Sequence, residues 1–358
     1  MRSIVRHSRA LWLALVMALG AWPTTGMADL LVASWNVRHL GWDTGRRYDK
    51  VAHVAQHFDL IAIQELMNEE GLERLKREVE AISGESWSSM ASHAMGRSTY
   101  REHYAFLWRD SAVAYDSGAV VYIDDRDVFA REPFSAVFRS QRTGTRFALG
   151  NVHITYGSSI GDRLPEIQAL ASYWEWMGEI YPDTPRLLAG DFNLRPSHDG
   201  WAPLKALGVS PAITQGKTTL GTTEGVWANL YDNIWKVAGR LNVTDRGIVP
   251  FPDLFQASHV EARGIISDHA PVWLALGEAT LQLSTFEGAS YSAEAAPRCI
   301  DLNSASQRQL EALPNVGEVR AQAIIDGRPW ASVSALTRVH GLGPASVSAI
   351  AKSGQVCE

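Results

Sequence analysis

The chain has 358 residues, with 33 Lys and Arg against 39 Asp and Glu and a formal net charge of −6. That length accommodates one large domain and a small one. The acidic total excludes recognition of nucleic acid through a broad positive field, so any phosphate must be held by metal ions, local Arg and Lys, or backbone N–H groups.

Arg2, Arg6 and Arg9 precede an apolar run over 11–21, and Gly26-Met27-Ala28 supplies small residues for a cleavage site. Residues 1–28 therefore read as an export signal, too short to span a bilayer comfortably. The mature chain is expected to begin at Asp29, secreted or periplasmic, with no membrane attachment after cleavage. Those 28 residues hold three Arg and no acid, which leaves 30 basic against 39 acidic residues, a net of −9.

From 29 to 278, apolar strands alternate with amphipathic or turn-rich segments. Strands are expected over 31–35, 60–63, 104–108, 119–122, 147–152, 186–189 and 271–274. A helix over 68–82 has acids in its first turn, and another over 164–181 carries Pro165 at its start. Many strands with few helices predict two packed sheets flanked by helices. Residues 279–298, including Glu287-Gly288-Ala289-Ser290, read as a linker; 281–283 is alternatively a last edge strand. Residues 299–358 form a weakly repetitive helical unit. Its segment from Leu310 to Gly317 is echoed from Leu336 to Gly343, with helices expected over 319–325 and 345–351. The two cysteines, Cys299 and Cys357, would in an exported protein form a disulfide across this unit, worth about a few kcal/mol by loop closure. Two free thiols are the alternative.

Polar clusters follow in fixed order, most at the end of an apolar run: Trp35-Asn36-Val37-Arg38, Gln64-Glu65, Tyr100-Arg101-Glu102, Asn151-Val152-His153, Gly190-Asp191-Phe192-Asn193 and Ser267-Asp268-His269. Tyr231-Asp232-Asn233 precedes the last. Buried strands rarely end on such groups unless these converge on something charged. Carboxylates bind Mg²⁺ or Ca²⁺ through oxygen, two His serve as acid and base, and Asn and Arg hold phosphate oxygens. The set describes a metal-assisted phosphodiester hydrolase. His39, His53, His57 and His103 read as satisfied core histidines, and the thirteen Trp as packing.

Six such clusters in this order over 30–276 resemble the endonuclease/exonuclease/phosphatase superfamily, and most of all deoxyribonuclease I. The resemblance implies a four-layer α/β sandwich with its site where the strand ends of two sheets meet. It implies that Glu65 is the principal divalent-metal carboxylate, with Asn36 beside it and Asp268 as a second, binding Mg²⁺ or else Ca²⁺ or Mn²⁺. His269, oriented by Asp232, matches the base-side histidine, and His153, paired with Glu102, the acid-side one. Asp191 and Asn193 match residues that position water and phosphate, Tyr100 flanks the cut phosphate with Glu102, and Arg38 matches a phosphate contact. Two departures stand out. Met67 sits where deoxyribonuclease I has a minor-groove Arg, and the first domain has no Cys for that family's disulfides.

Residues 299–358 resemble the tandem helix-hairpin-helix unit of bacterial competence proteins. Gly341-Leu342-Gly343 fits its Gly-hydrophobic-Gly pattern, and Asn315-Val316-Gly317 has Asn at the leading position, which tolerates positive φ. Gly317, Gly341 and Gly343 would open helix N-termini to DNA phosphates. The expectation is an exported, monomeric endonuclease that cuts double-stranded DNA with little sequence preference. Its rivals are a lipid head-group phosphatase of the same superfamily and a catalytically silent DNA-capture protein. The Tyr100–Glu102 segment argues against the first, and the intact set of acids and histidines against the second.

Overall fold

The computed structural model describes residues 28–42, 45–286, 300–303, 305, 310, 313–353 and 356–357. The chain divides into two compact units between Phe286 and Glu287. The export segment at 1–28 lies almost wholly outside the described residues. Among those described, no helix is long and apolar enough to cross a membrane.

The first unit contains two six-stranded sheets. One runs β11 (Val243–Ile248), β12 (Val272–Gly277), β1 (Ala28–Leu40), β2 (Leu60–Leu66), β4 (His103–Arg109), β3 (Trp87–Ala91). The other runs β5 (Val113–Val121), β6 (Phe134–Ser140), β7 (Arg146–His153), β8 (Arg186–Asp191), β10 (Asp232–Val237), β9 (Val209–Pro211). Against the outer face of the first lie α1 (Tyr48–Ala55), α2 (Glu69–Ser83) and α5 (His259–Ile265); against the second lie α3 (Ile160–Ile180) and α4 (Ala202–Ala206).

Strand parity builds these layers. In β1, Leu30 and Val32 enter the core between the sheets, whereas Leu31, Ala33, Trp35 and Val37 pack on α1 and α2. In β2, Leu60 and Ala62 face inward and Ile61 and Ile63 outward. In β7, Phe147 and Leu149 face the inner core while Ala148 and Val152 meet α3. Both faces of each sheet are covered, so these strands read as unbroken apolar runs and not as alternating ones. Three cores separate four layers, the architecture expected.

Boundaries moved where local chemistry outweighed the pattern. A capping box between Ser159 and Asp162 starts α3 at Ile160, so Pro165 falls inside the helix. It forfeits one bond close to an end already fixed by the cap. No strand forms over 281–283. Instead Leu281 packs on the outer core, the Phe286 N–H donates to Leu254 O at 2.7 Å, and the Phe286 ring meets His53 at 5.1 Å. Helices α1, α4 and α5 and strands β3, β6, β9, β10 and β11 are not among the expected elements.

The C-terminal unit has its own core, in which Leu310, Leu313, Leu336 and Leu342 join Ile324 of α6 (Glu318–Asp326) and Ile350 of α7 (Pro344–Lys352). Its ends meet. Ile300 bridges Val356, and the Cys357 N–H donates to Ile300 O at 3.0 Å. The Cys299–Cys357 pairing lies outside the described residues, because Cys299 is not among them.

Candidate active site

The inner faces change character along each strand. Leu30 and Val32 are followed on the same face by Ser34 and Asn36, Leu60 and Ala62 by Gln64, Phe147 and Leu149 by Asn151 and His153, and Leu187 and Ala189 by Asp191. On β10, Ile234 leads back to Asp232. An apolar core thus gives way to a neutral polar row and then to ionisable groups. The neutral row clips the sheets together: Gln64 Nε2 donates to Asn151 Oδ1 (2.7 Å) and Ser34 Oγ (3.1 Å), and Asn151 Nδ2 donates to Ile63 O (2.9 Å). Hydrogen-bonded partners are what permit amides there at all.

Glu65 breaks the alternation. Its φ of 57° coincides with a register shift between β2 and β4, and φ values of 45° and 54° at Arg38 and His39 accompany a shift at the end of β1. Such bulges re-aim side chains, and left-handed backbone at non-glycine residues costs about 1–3 kcal/mol apiece. Here the neighbours hold it. Asn36 Nδ2 donates to Glu65 Oε1 (2.8 Å) and to Asp191 Oδ2 (3.1 Å), and the His39 N–H donates to Glu65 Oε2 (3.1 Å). The Asn36 oxygen accepts from the Arg38 N–H at 2.9 Å, so its nitrogen faces the carboxylates. Gly190 is demanded by packing: a Cβ there would lie 2.0 Å from Val152 O, where β7 and β8 run side by side. Beyond it Asn193, at φ 50°, donates its N–H to Asp191 Oδ1 (3.0 Å) and its Nδ2 to Ile154 O (2.8 Å).

Two histidines meet over Asp191. His153 Nε2 lies 3.6 Å and His269 Nε2 3.7 Å from Asp191 Oδ2. Behind them, His153 Nδ1 bonds Glu102 Oε1 at 2.6 Å and His269 Nδ1 bonds Asp232 Oδ2 at 2.8 Å. Tyr100 completes the first pair by donating its hydroxyl to Glu102 Oε2 at 3.1 Å. Burial works against charge on His153, but Glu102 and, less, Asp191 reverse it and raise its pKa. For His269 burial is again opposed, by Asp232 and then Asp191, and its pKa stands well above the usual value. Burial also pushes the Asp232 carboxyl up, to about 6. Glu102 is penalised by burial yet ends below its normal range because His153 and Arg131 surround it.

Part of this constellation lines a cleft of about 410 Å³ that includes Glu65, His153, Asp191, Asn193, Asp268 and His269. Asp268 is paired with Arg263 Nη2 at 3.0 Å and Arg38 Nε at 3.8 Å. Asp191, Asp232 and His269 offer ligand atoms within 4.8 Å of one another. Asp232 and His269 are already bonded together, so the cleft carboxylates that could turn an oxygen to a hard cation are those of Glu65, Asp191 and Asp268.

Several residues of this site carry no signal in the sequence. Arg131 donates to His153 O (2.9 Å) and lies 3.0 Å from Glu102 Oε1. Arg163 donates to Asn193 O and, from Nε, to Tyr156 O at 2.7 Å. No motif marks an isolated arginine in a loop or first turn. His39 corrects its reading as a core histidine, since its Nε2 lies 3.3 Å from Glu65 Oε2 and its ring lies tilted 4.5 Å from Trp42. Proximity to Trp35-Asn36-Val37-Arg38 was the available clue. His53 is buried as expected.

In the C-terminal unit, left-handed backbone falls on the leading residue of each hairpin, Asn315 (φ 61°) and Gly341 (φ 83°). Gly317 and Gly343 are the extended N-caps of α6 and α7, and a Cβ at either would meet nothing within 4 Å.

Comparison with known proteins matches this picture in both units. Residues 33–269 match the endonuclease/exonuclease/phosphatase family and residues 297–353 a helix-hairpin-helix motif. A protein named deoxyribonuclease from Thioalkalivibrio sp. (strain K90mix) is 47% identical over 344 residues, 94% of either chain. Human deoxyribonuclease-1 is 29% identical over 69% of this chain and 92% of its own. An endonuclease/exonuclease/phosphatase family protein from Bacteroides thetaiotaomicron superposes with a TM-score of 0.52 at 20% identity, covering 72% of this chain and 100% of that one. A mannosyl-6-phosphatase of the same species does so at 0.51 and 19%, over 69% and 99%. At those identities the superpositions speak for the fold alone. The family match runs from β1 through both histidine–carboxylate pairs, and on that ground the chain belongs to the endonuclease/exonuclease/phosphatase family.

Proposed function

We propose that the protein is an exported, monomeric, divalent-cation-dependent endonuclease that hydrolyses double-stranded DNA with little sequence preference. The observation that carries the reading is the meeting of two imidazole Nε2 atoms over Asp191 Oδ2, each imidazole backed by its own buried carboxylate. That arrangement can take a proton on one side of a phosphodiester and deliver one on the other. The relative named deoxyribonuclease aligns along both units, which favours DNA over a lipid head group.

His153 and His269 would be the acid and base. Asp191 would hold the attacking water between them, with Asn193 fixing Asp191 and Tyr100 fixing Glu102. Arg38 would contact phosphate. Glu65 would hold Mg²⁺ (or Ca²⁺ or Mn²⁺), with Asp268 nearby and Asn36 orienting Glu65, since three carboxylates in one cleft suit a hard, oxygen-seeking ion. When bound, the cation polarises the phosphate and offsets charge that develops on it.

The hairpins at Gly317 and Gly341–Gly343 would hold DNA through directional backbone N–H groups, which position without reading sequence. Tethering them to the nuclease raises the local DNA concentration and should preserve activity at salt levels that screen purely Coulombic grip. Export rests on residues 1–28, and the closing of the tail by Ile300 and Val356 suits a Cys299–Cys357 bond.

One plasmid-nicking experiment tests the core of this. The full chain and a chain ending at Phe286 are assayed with and without EDTA, at low and high salt. Nicking should require the divalent ion, and the shorter chain should lose activity faster as salt rises. Nicking that persists in EDTA refutes the cation, and parallel decline refutes the role of the tail.

A further inference from the structure

The cleft that holds the two histidines is lined by acids and bases together. Glu65, Asp191 and Asp268 share it with Arg131 and Arg263, but both arginines are already paired, Arg131 with Glu102 and Arg263 with Asp268. Directly beside it, sharing Ala228, Asn229 and Tyr231 as a common wall, lies a second cleft of about 460 Å³. Its lining includes Arg163, Arg195 and Lys217 and no carboxylate. In a chain with six more acids than bases, three cations without an acid in one concavity is an inversion of the prevailing charge.

The three cations are not equivalent. Arg163 is buried and spends its guanidinium on Asn193 O and Tyr156 O, stacked 4.2 Å over the Tyr156 ring. It supports the shared wall. Arg195 and Lys217 are exposed. Lys217 Nζ donates to Trp227 O at 2.8 Å, which holds the ammonium at the rim with two protons to spare. Arg195 follows Asn193 by two residues, so the segment that fixes Asp191 also places this residue on the wall of the neighbouring cleft.

We infer that Arg195 and Lys217 form a subsite for a DNA backbone phosphate adjacent along the strand to the one being cut. The inference rests on the endonuclease reading and adds to it a second place, beyond Arg38, where the catalytic unit binds phosphate through a side-chain cation. Two flexible cations at a rim grip a phosphate as point charges and forks, without sequence preference. They supply local attraction that the acidic surface as a whole does not.

Arg195→Gln and Lys217→Gln, singly and together, test it; glutamine keeps a donor for Trp227 O while removing charge. Cleavage of a duplex and of bis-para-nitrophenyl phosphate, which has no neighbouring phosphate, is followed across a salt series. The double variant should raise KM for duplex about ten-fold, as expected for losing a charge-assisted contact, with kcat within about two-fold. It should flatten the log-log salt dependence of duplex cleavage by about one unit, and hydrolysis of the small diester should match the parent chain. Unchanged KM and salt slope on duplex would overturn the subsite while leaving the endonuclease intact. Equal losses on both substrates would overturn it in favour of a general effect on the catalytic groups. If the unmodified chain cleaves no DNA, the reading beneath falls and the subsite with it.

Discussion

The two histidine–carboxylate pairs have the same connectivity and opposite surroundings. Glu102 is enclosed by Arg131, Tyr100 and His153, so the pair is neutralised from behind and Arg131 pulls the His153 pKa down against Glu102. No arginine stands among the largest influences on Asp232, and Asp191 and Asp268 add their charge to its effect on His269. Both imidazoles face three carboxylates, His153 those of Glu102, Asp191 and Glu65 (4.0 Å) and His269 those of Asp232, Asp191 and Asp268, but only His153 has an arginine among its largest influences. The difference shows that equivalent local bonding does not set equivalent proton affinity; the charges beyond the first partner do.

The largest test removes each imidazole. His153→Ala and His269→Ala should each lower plasmid nicking by about 10²–10⁴-fold, the range for losing an acid or base, and the double variant should be little worse than the poorer single one. Nicking within ten-fold of the parent in either would dismiss that histidine from the chemistry.

A second test separates the pairs by pH. Glu102→Gln and Asp232→Asn each remove a negative charge that favours imidazolium, so the attached histidine loses its proton at lower pH. If that histidine is the base, the acid limb of kcat/KM moves down. If it is the acid, the alkaline limb does. The shift should be larger for Asp232→Asn, since the His269 pKa is raised further. Both variants moving the same limb, or neither moving one, would sink the division of labour.

The smallest effect is on stability. Glu102→Gln leaves Arg131 buried with one carboxylate fewer, at a cost of about 3 kcal/mol, or roughly 6–12 °C in Tm for a unit of this size. Asp232→Asn can keep an oxygen for His269 Nδ1 and relieves a buried charge, so its melt should stay within about 2 °C of the parent. Reversal of that order in a thermal melt would mean that Arg131 is not held chiefly by Glu102.

The ends of the apolar runs were legible because parity is local. A strand whose inner face reads Leu30, Val32, Ser34, Asn36 states in its own residues where the core stops. The hairpin at Gly341 was legible for a similar reason, as only a few residue types accept a φ of 83°. Arg131, Arg163 and Arg263 were not, because one arginine becomes part of a site only through what folds against it. His39 belongs to the site on the same account. Its N–H and ring reach Glu65 through backbone at φ 54°, which no composition rule foretells. Phe286 likewise looked like linker until Leu254 and His53 were brought beneath it.

By itself the chain of residues determined the strand faces, the order of the polar ends, the acidic sign of the whole and the paired turns of the tail, all properties of near neighbours. Only the tertiary structure decided that Trp35 donates to the His269 carbonyl across more than two hundred residues, that Glu65 turns out of register, and that Arg195 and Lys217 share a concavity without an acid. Those outcomes depend on burial and on backbone pairing between distant segments, and side chains meet there because two sheets must cover one another's apolar faces.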